Sequence, residues 1–420
     1  MMLKENKSIT KISLLLNSLL FLVGFSIPFS FAFNSIIIFL FFIVSFYWFD
    51  KSKYLSFGKK SYKVLSLFIL LFIIQIFGIC YSENYNLAIV NVSKSVVFLI
   101  LPLAFINISH LIDSRKLKIS LYGLMVGVLL MLISAHVNIF YKILSENLPF
   151  VTILTHFTRT EFVQEALVEI HPPYFAILIV VILAPLSDLE IIKNKVFNKI
   201  FKYFLFIYLL FSLYGISSFM SLLLVLLFLF FYIIYMLKKK KGIITIFIII
   251  ILASSTFFFS TTLNKSVSDF GRGSLINRID WMFLKGKGDT SRPHNWKSVL
   301  LVVKDNVFFG AGTDGGLLQL QRNRDIKSES FVNQHNAHNQ YLEILLRHGL
   351  LGFFCYFGLL FYLIKSAYYS KDKNFRWFVL VFLISSITES YLQRQIGVTF
   401  FTFYAIIYLC VYKVSKNKKI

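Results

Sequence analysis

Long apolar runs, separated by short polar and basic stretches, extend from the first residues to the last. A helix needs about 20 apolar residues to cross the hydrocarbon core of a bilayer. Runs of this kind lie near 12–28, 33–49, 63–81, 88–107, 119–139, 173–191, 203–218, 219–237, 243–260, 341–364, 377–391 and 397–413. Two pairs are close-set, turned at Pro28 to Asn34 and at Ser217-Ser218. The expectation is an all-α integral membrane protein of about 12 transmembrane helices.

The basic residues set an orientation. Lys4, Lys7 and Lys11 precede the first run, and Lys51, Lys53, Lys59, Lys60 and Lys63 follow the second. Arg115, Lys116 and Lys118 follow the fourth, Lys193, Lys195, Lys199 and Lys202 the sixth, and Lys238 to Lys241 the eighth. Lys365, Lys371, Lys373 and Arg376 follow the tenth, and Lys413, Lys416, Lys418 and Lys419 end the chain. Twelve spans put every cluster on one side, the cytoplasmic side by the positive-inside rule, together with both termini. The run at 12–28 has a basic start but is long and lacks a small-x-small cleavage site, so an uncleaved span is expected.

Composition sharpens this picture. Of the 420 residues, 57% are hydrophobic and 15% charged, with a mean hydropathy of +0.73. Soluble domains hold roughly 45–50% apolar and about 25% charged residues, so a cytosolic enzyme, a disordered chain and a disulfide-stapled secreted domain are all excluded. Cys80, Cys355 and Cys410 sit in apolar stretches and form no metal-ligand spacing. A net charge of +23 raises nucleic acid as a partner. The clustering between apolar runs marks cytoplasmic loops instead, so no nucleic acid is expected.

Three regions follow: 1–260 with nine helices and an outer loop near 140–172, a large partly helical outer loop at 261–340, and 341–420 with three helices. The large loop carries eleven basic and seven acidic side chains. Loops this long are exempt from the positive-inside rule, and an anionic ligand outside the membrane is the other reading.

The densest polar stretch is Gln334-His335-Asn336-Ala337-His338-Asn339-Gln340-Tyr341-Leu342-Glu343, followed by Arg347-His348-Gly349-Leu350-Leu351-Gly352. A histidine at a helix mouth can take a proton from a hydroxyl, and flanking Asn and Gln can fix its tautomer. Upstream, Asn306 to Gly316 is rich in glycine, but no Gly-Lys-Ser/Thr follows, so a plain turn is expected rather than a P-loop. Lys94 lies about two turns into the fourth run, where an ionisable group is costly and marks a functional candidate. His171-Pro172-Pro173-Tyr174 opens the sixth run with prolines suited to a helix start. Glu389 and then Arg394-Gln395 stand between the last two runs. In this topology Lys94, Arg159, His171, Arg292, His338, Glu389 and Arg394 face one compartment. With no Asp-x-Asp pair, no metal site is expected.

On these residues the chain resembles the O-antigen ligase and polymerase family of bacterial envelope polysaccharide enzymes. The match is carried by Phe309-Gly310-Ala311-Gly312, then His338-Asn339-Gln340-Tyr341-Leu342, then Gly349-Leu350-Leu351-Gly352. Lys94 to Pro102, His171 to Tyr174 and Glu389 to Phe401 are similar to a subgroup, so the resemblance runs from about residue 90 to the C-terminus. It implies a metal- and cofactor-free glycosyltransferase with a GT-C-like fold in the bacterial inner membrane. The implied donor is a glycan on undecaprenyl diphosphate at the periplasmic face.

The family's essential outer-loop histidine maps to His338, and its loop arginine to Arg292, with Arg278 the rival. Lys94, Arg159, His171, Asn339, Glu389, Arg394 and Gln395 complete the implied substrate and diphosphate set. Many members carry a Ser-Arg where this chain reads Ser217-Ser218-Phe219-Met220, so another cation must replace it. The resemblance implies inverting transfer to lipid A–core by a ligase. A polymerase acting on a second lipid-linked glycan and a protein O-oligosaccharyltransferase are the alternatives. A transporter or flippase is the reading from a different class, but no internal repeat supports it.

Overall fold

The computed structural model describes residues 2–49, 59–148, 171–216, 219–238 and 291–417. Among these residues the chain is helical throughout, with no strand. The helices are α1 (Met2–Ser26), α2 (Phe31–Ser45), α3 (Lys59–Phe77), α4 (Tyr85–Ser95), α5 (Val97–Ile108) and α6 (Ser114–Ser145). Next come α7 (Pro172–Leu186), α8 (Lys195–Ile216), α9 (Phe219–Lys238) and α10 (Ser291–Asp305). The last are α11 (Leu317–Arg322), α12 (Glu329–Val332), α13 (Gln340–Ser370), α14 (Lys373–Ser385) and α15 (Gln395–Asn417).

Among the described residues, seven segments are long and apolar enough to cross a membrane, and Ser13–Ser26, Pro172–Leu186 and Leu223–Ile234 are shorter apolar helices. The run at 243–260 lies outside the described residues. The run at 377–391 gives only the 13-residue α14, because the chain leaves the helix at Ser386 and makes a 3-10 turn over Tyr391–Gln393. The run at 88–107 is divided at Val96 into α4 and α5. There the Ser95 hydroxyl bonds back to the carbonyls of Asn91 and Val92, a competition with the helix ladder that bends helices.

The chain divides into two compact units, Met1–Gly127 with Thr290–Ile420, and Val128–Asp289. In the first, α13 packs against α3, α2 against α5, and α15 against α5. Residues 397–410 of α15 are all buried, and Phe401 stacks on Phe382 at 4.0 Å. Gly123 and Gly127 of α6 meet α1 so closely that a Cβ would stand 2.1 Å from the Phe21 carbonyl oxygen and 2.4 Å from that of Phe25. This four-residue spacing of glycines is the small-residue packing that membrane helices use. In the second unit α7 packs against α8 and α9, and its side chains are buried almost without exception.

Candidate functional site

The site lies in the first unit and is built around an interruption in α13. Gly349 adopts φ 56° and ψ −153°, a conformation open only to glycine, and splits the helix. The split frees carbonyls on one side and amides on the other. The 307–312 loop answers both. The amides of Ala311 and Gly312 donate to the carbonyls of Leu346 (2.7 Å) and Arg347 (3.1 Å). The Val307 and Phe308 carbonyls accept from the amides of Leu350 (2.9 Å) and Leu351 (3.2 Å). The glycine-rich stretch is therefore more than a turn: it is the partner of the Gly349 break, and two of its amides are spent there. A small apolar core of Val299, Val302, Ala311, Leu320, Ala337 and Leu346 holds α10 and α11 over this junction.

Above the break, an irregular segment carries His338, and side chains satisfy its backbone group by group. The Arg324 guanidinium donates to the His335 carbonyl (2.5 Å), the Asn295 amide to the Asn336 carbonyl (2.8 Å), and the Trp296 indole to the Ala337 carbonyl (2.8 Å). The Ala337 amide donates to Glu343 Oε2 (2.8 Å), that of His338 to Asn336 Oδ1 (2.9 Å), and that of Asn339 to Ser390 Oγ (3.2 Å). These clamps hold His338 at φ 45°, an uncommon backbone for a non-glycine residue. Burial lowers the proton affinity of Arg324, and the Glu343 carboxylate opposes that.

The functional side chains meet here. His338 Nδ1–H donates to Glu389 Oε2 at 3.2 Å, and Arg292 pairs with Glu389 Oε1 at 3.2 Å. A carboxylate can only accept, so this bond puts a proton on Nδ1, and in the neutral ring Nε2 is then the basic nitrogen. Arg292 comes from the start of α10 and Glu389 from the turn before α15, so three distant stretches of chain form one line. His335 stands edge-on to His338, with ring centroids 5.1 Å apart and planes at 87°.

The other expected residues divide. Lys94, at the end of α4, donates to Asn91 Oδ1 (3.1 Å) and lies within electrostatic reach of Arg347 and Arg394. A small polar cavity beside it is lined by Gln75, Asn91, Arg347, His348 and Gln393. Asn339 caps α13, its Oδ1 accepting from the amides of Tyr341 and Leu342, so only Nδ2 is left for a ligand. Gln395 Nε2 is likewise engaged, with Ser35 Oγ at 2.8 Å. His171 caps α7 in the second unit, its ring edge-on to Tyr174 at 5.8 Å. Arg159, Arg278 and Ser217-Ser218 lie outside the described residues.

Sequence reading missed the supporting pair Glu343 and Arg347. Their i,i+4 spacing was the available signal. Arg347 donates to Glu343 Oε1 (2.6 Å) and to the Thr313 carbonyl (2.6 Å), tying α13 to the loop. Among the described residues no three His, Cys, Asp or Glu side chains gather as a metal site.

The fold and the site together define a polytopic membrane-type protein, all-helical where described, with a polar site built over broken helices. Residues 204–357 match the family model for O-antigen ligase, and over that stretch the chain is similar to the family. The match includes Arg292, the Phe309–Gly312 loop, His338 and Gly349, while Lys94, Glu389 and Arg394 fall outside it. No curated protein matches the chain.

Proposed function

We propose that the chain moves a glycan from undecaprenyl diphosphate to an acceptor hydroxyl at the periplasmic face of a bacterial inner membrane. We infer that it acts as an O-antigen ligase, with lipid A–core as acceptor. One observation supports this reading above all: His338, Glu389 and Arg292 form a hydrogen-bonded line beside a family motif. In this scheme the acceptor oxygen attacks the anomeric carbon of the donor glycan. His338 Nε2 takes the hydroxyl proton, and Glu389 holds the ring and balances the imidazolium. The bond from the anomeric carbon to the diphosphate oxygen breaks, and its electron pair leaves with undecaprenyl diphosphate.

In this scheme Arg292 meets the leaving diphosphate, assisted by Lys94 and Arg394. Fixed cations carry the developing charge, so the scheme uses no metal. A single displacement inverts the anomeric centre. The scheme places residues 261–340 outside and both termini inside.

His338→Ala is expected to lower transfer by about 10²–10⁴-fold with insertion unchanged. Purified protein, a synthetic undecaprenyl-diphosphate oligosaccharide and lipid A–core measure this, and normal transfer removes the base from the scheme. Envelope polysaccharide from a deletion strain separates acceptors: full-length unattached chains support a ligase, and single-repeat caps indicate a polymerase.

A further inference from the structure

His335 has no part in that scheme, yet its ring is held against the ring proposed as the base. The contact is built rather than incidental. The backbone of His335 is fixed at both polar groups, its amide donating to the Ser330 carbonyl (3.1 Å) and its carbonyl accepting from Arg324. Three residues on, the backbone of His338 is fixed by Asn336 and its ring by Glu389. The two imidazoles stand with centroids 5.1 Å apart and planes nearly perpendicular. Edge-to-face geometry is a favoured arrangement for ring pairs.

The charged groups around the pair come from three elements. Arg292 of α10 and Glu389 of the 386–394 turn are paired with each other, and Arg324, after α11, is committed to Asn295 and the His335 carbonyl.

We propose that His335 is a positioning residue for the transfer reaction, orienting the His338 ring through their edge contact. The inference rests on the reading of His338 as the base.

The test compares His335→Phe, which keeps a flat ring but cannot titrate, with His335→Ala, which removes the ring. Transfer by the full chain in vesicles, from a synthetic undecaprenyl-diphosphate oligosaccharide, is followed from pH 5 to 9. His335→Phe is expected to keep kcat within about threefold. His335→Ala is expected to lose about tenfold or more in kcat with KM little changed. Site-resolved acylation of His338 by diethyl pyrocarbonate, which needs no substrate, should change in the Ala variant and be kept in the Phe variant.

A kcat and acylation rate in the Ala variant identical to those of the unsubstituted protein overturn the proposal, as does equal loss by both variants. His338→Ala is run beside them. If it transfers normally, the reading of the base fails. If it is inactive while both His335 variants behave as the unsubstituted protein, only this inference fails.

Discussion

His338 is one side chain among eight histidines, and its neighbours give it a role. Glu389 accepts from His338 Nδ1 on one oxygen, and Arg292 pairs with the other at 3.2 Å. Outer partners of this kind are worth about 10–100-fold in activity. Glu389→Gln is therefore expected to lower transfer by about that factor, less than His338→Ala, with little change in donor affinity. Rates at saturating and limiting donor would separate the two effects. Below the base, Glu343 is 1% exposed and meets Arg347 at 2.6 Å. Removing one member of a buried pair strands the other, which typically costs about 3–5 kcal/mol. Arg347→Met should show that loss in denaturant unfolding of the detergent-solubilised protein, and Arg347→Met with Glu343→Leu should recover part of it.

At the scale of elements, the molecule works through helices that stop. α13 breaks at Gly349, the run at 88–107 breaks at Val96, and α14 ends early so that Glu389 can sit in a turn. Irregular backbone is tolerated in such proteins where it is buried in protein and its polar groups are answered. The 307–312 loop does this for α13. A Cβ at Gly349 would stand 2.4 Å from the Phe308 carbonyl carbon, at a φ that side chains rarely adopt. Gly349→Ala is expected to destabilise the chain by about 1–3 kcal/mol and to release the loop. Limited proteolysis should then cut within 306–316, which the unsubstituted protein resists.

Across the whole molecule, the helices set which surfaces meet lipid and which meet water. Past the Gly349 break, residues 350–370 of α13 are about 32 Å long, enough to match the hydrocarbon thickness of about 30 Å. Ile326 and Lys373, both exposed and placed before and after it, should lie on opposite sides of the membrane. In a chain with Cys80, Cys355 and Cys410 replaced, a membrane-impermeant maleimide should label Ile326→Cys in intact cells. It should label Lys373→Cys only after permeabilisation. The reverse result would put the His338 site in the cytosol and end the proposed reaction.

Apolar run length determined the helical class and the membrane setting, because the hydrocarbon core demands long, internally bonded, apolar helices whatever their neighbours. The polar stretch from Gln334 to Glu343 and its histidines were also legible, since polar residues beside an apolar run stand out without a structure. Tertiary structure alone decided the rest. Nothing in the spacing joins Arg292 to Glu389, 97 residues apart, or the Phe309–Gly312 loop to Gly349. Those pairings satisfy carbonyls, amides and charges that the broken helices expose, and only the folded chain shows where the breaks fall. The same reason recasts Asn339, which looked like a ligand contact and caps a helix, because an amide beside free backbone N–H groups bonds to them first.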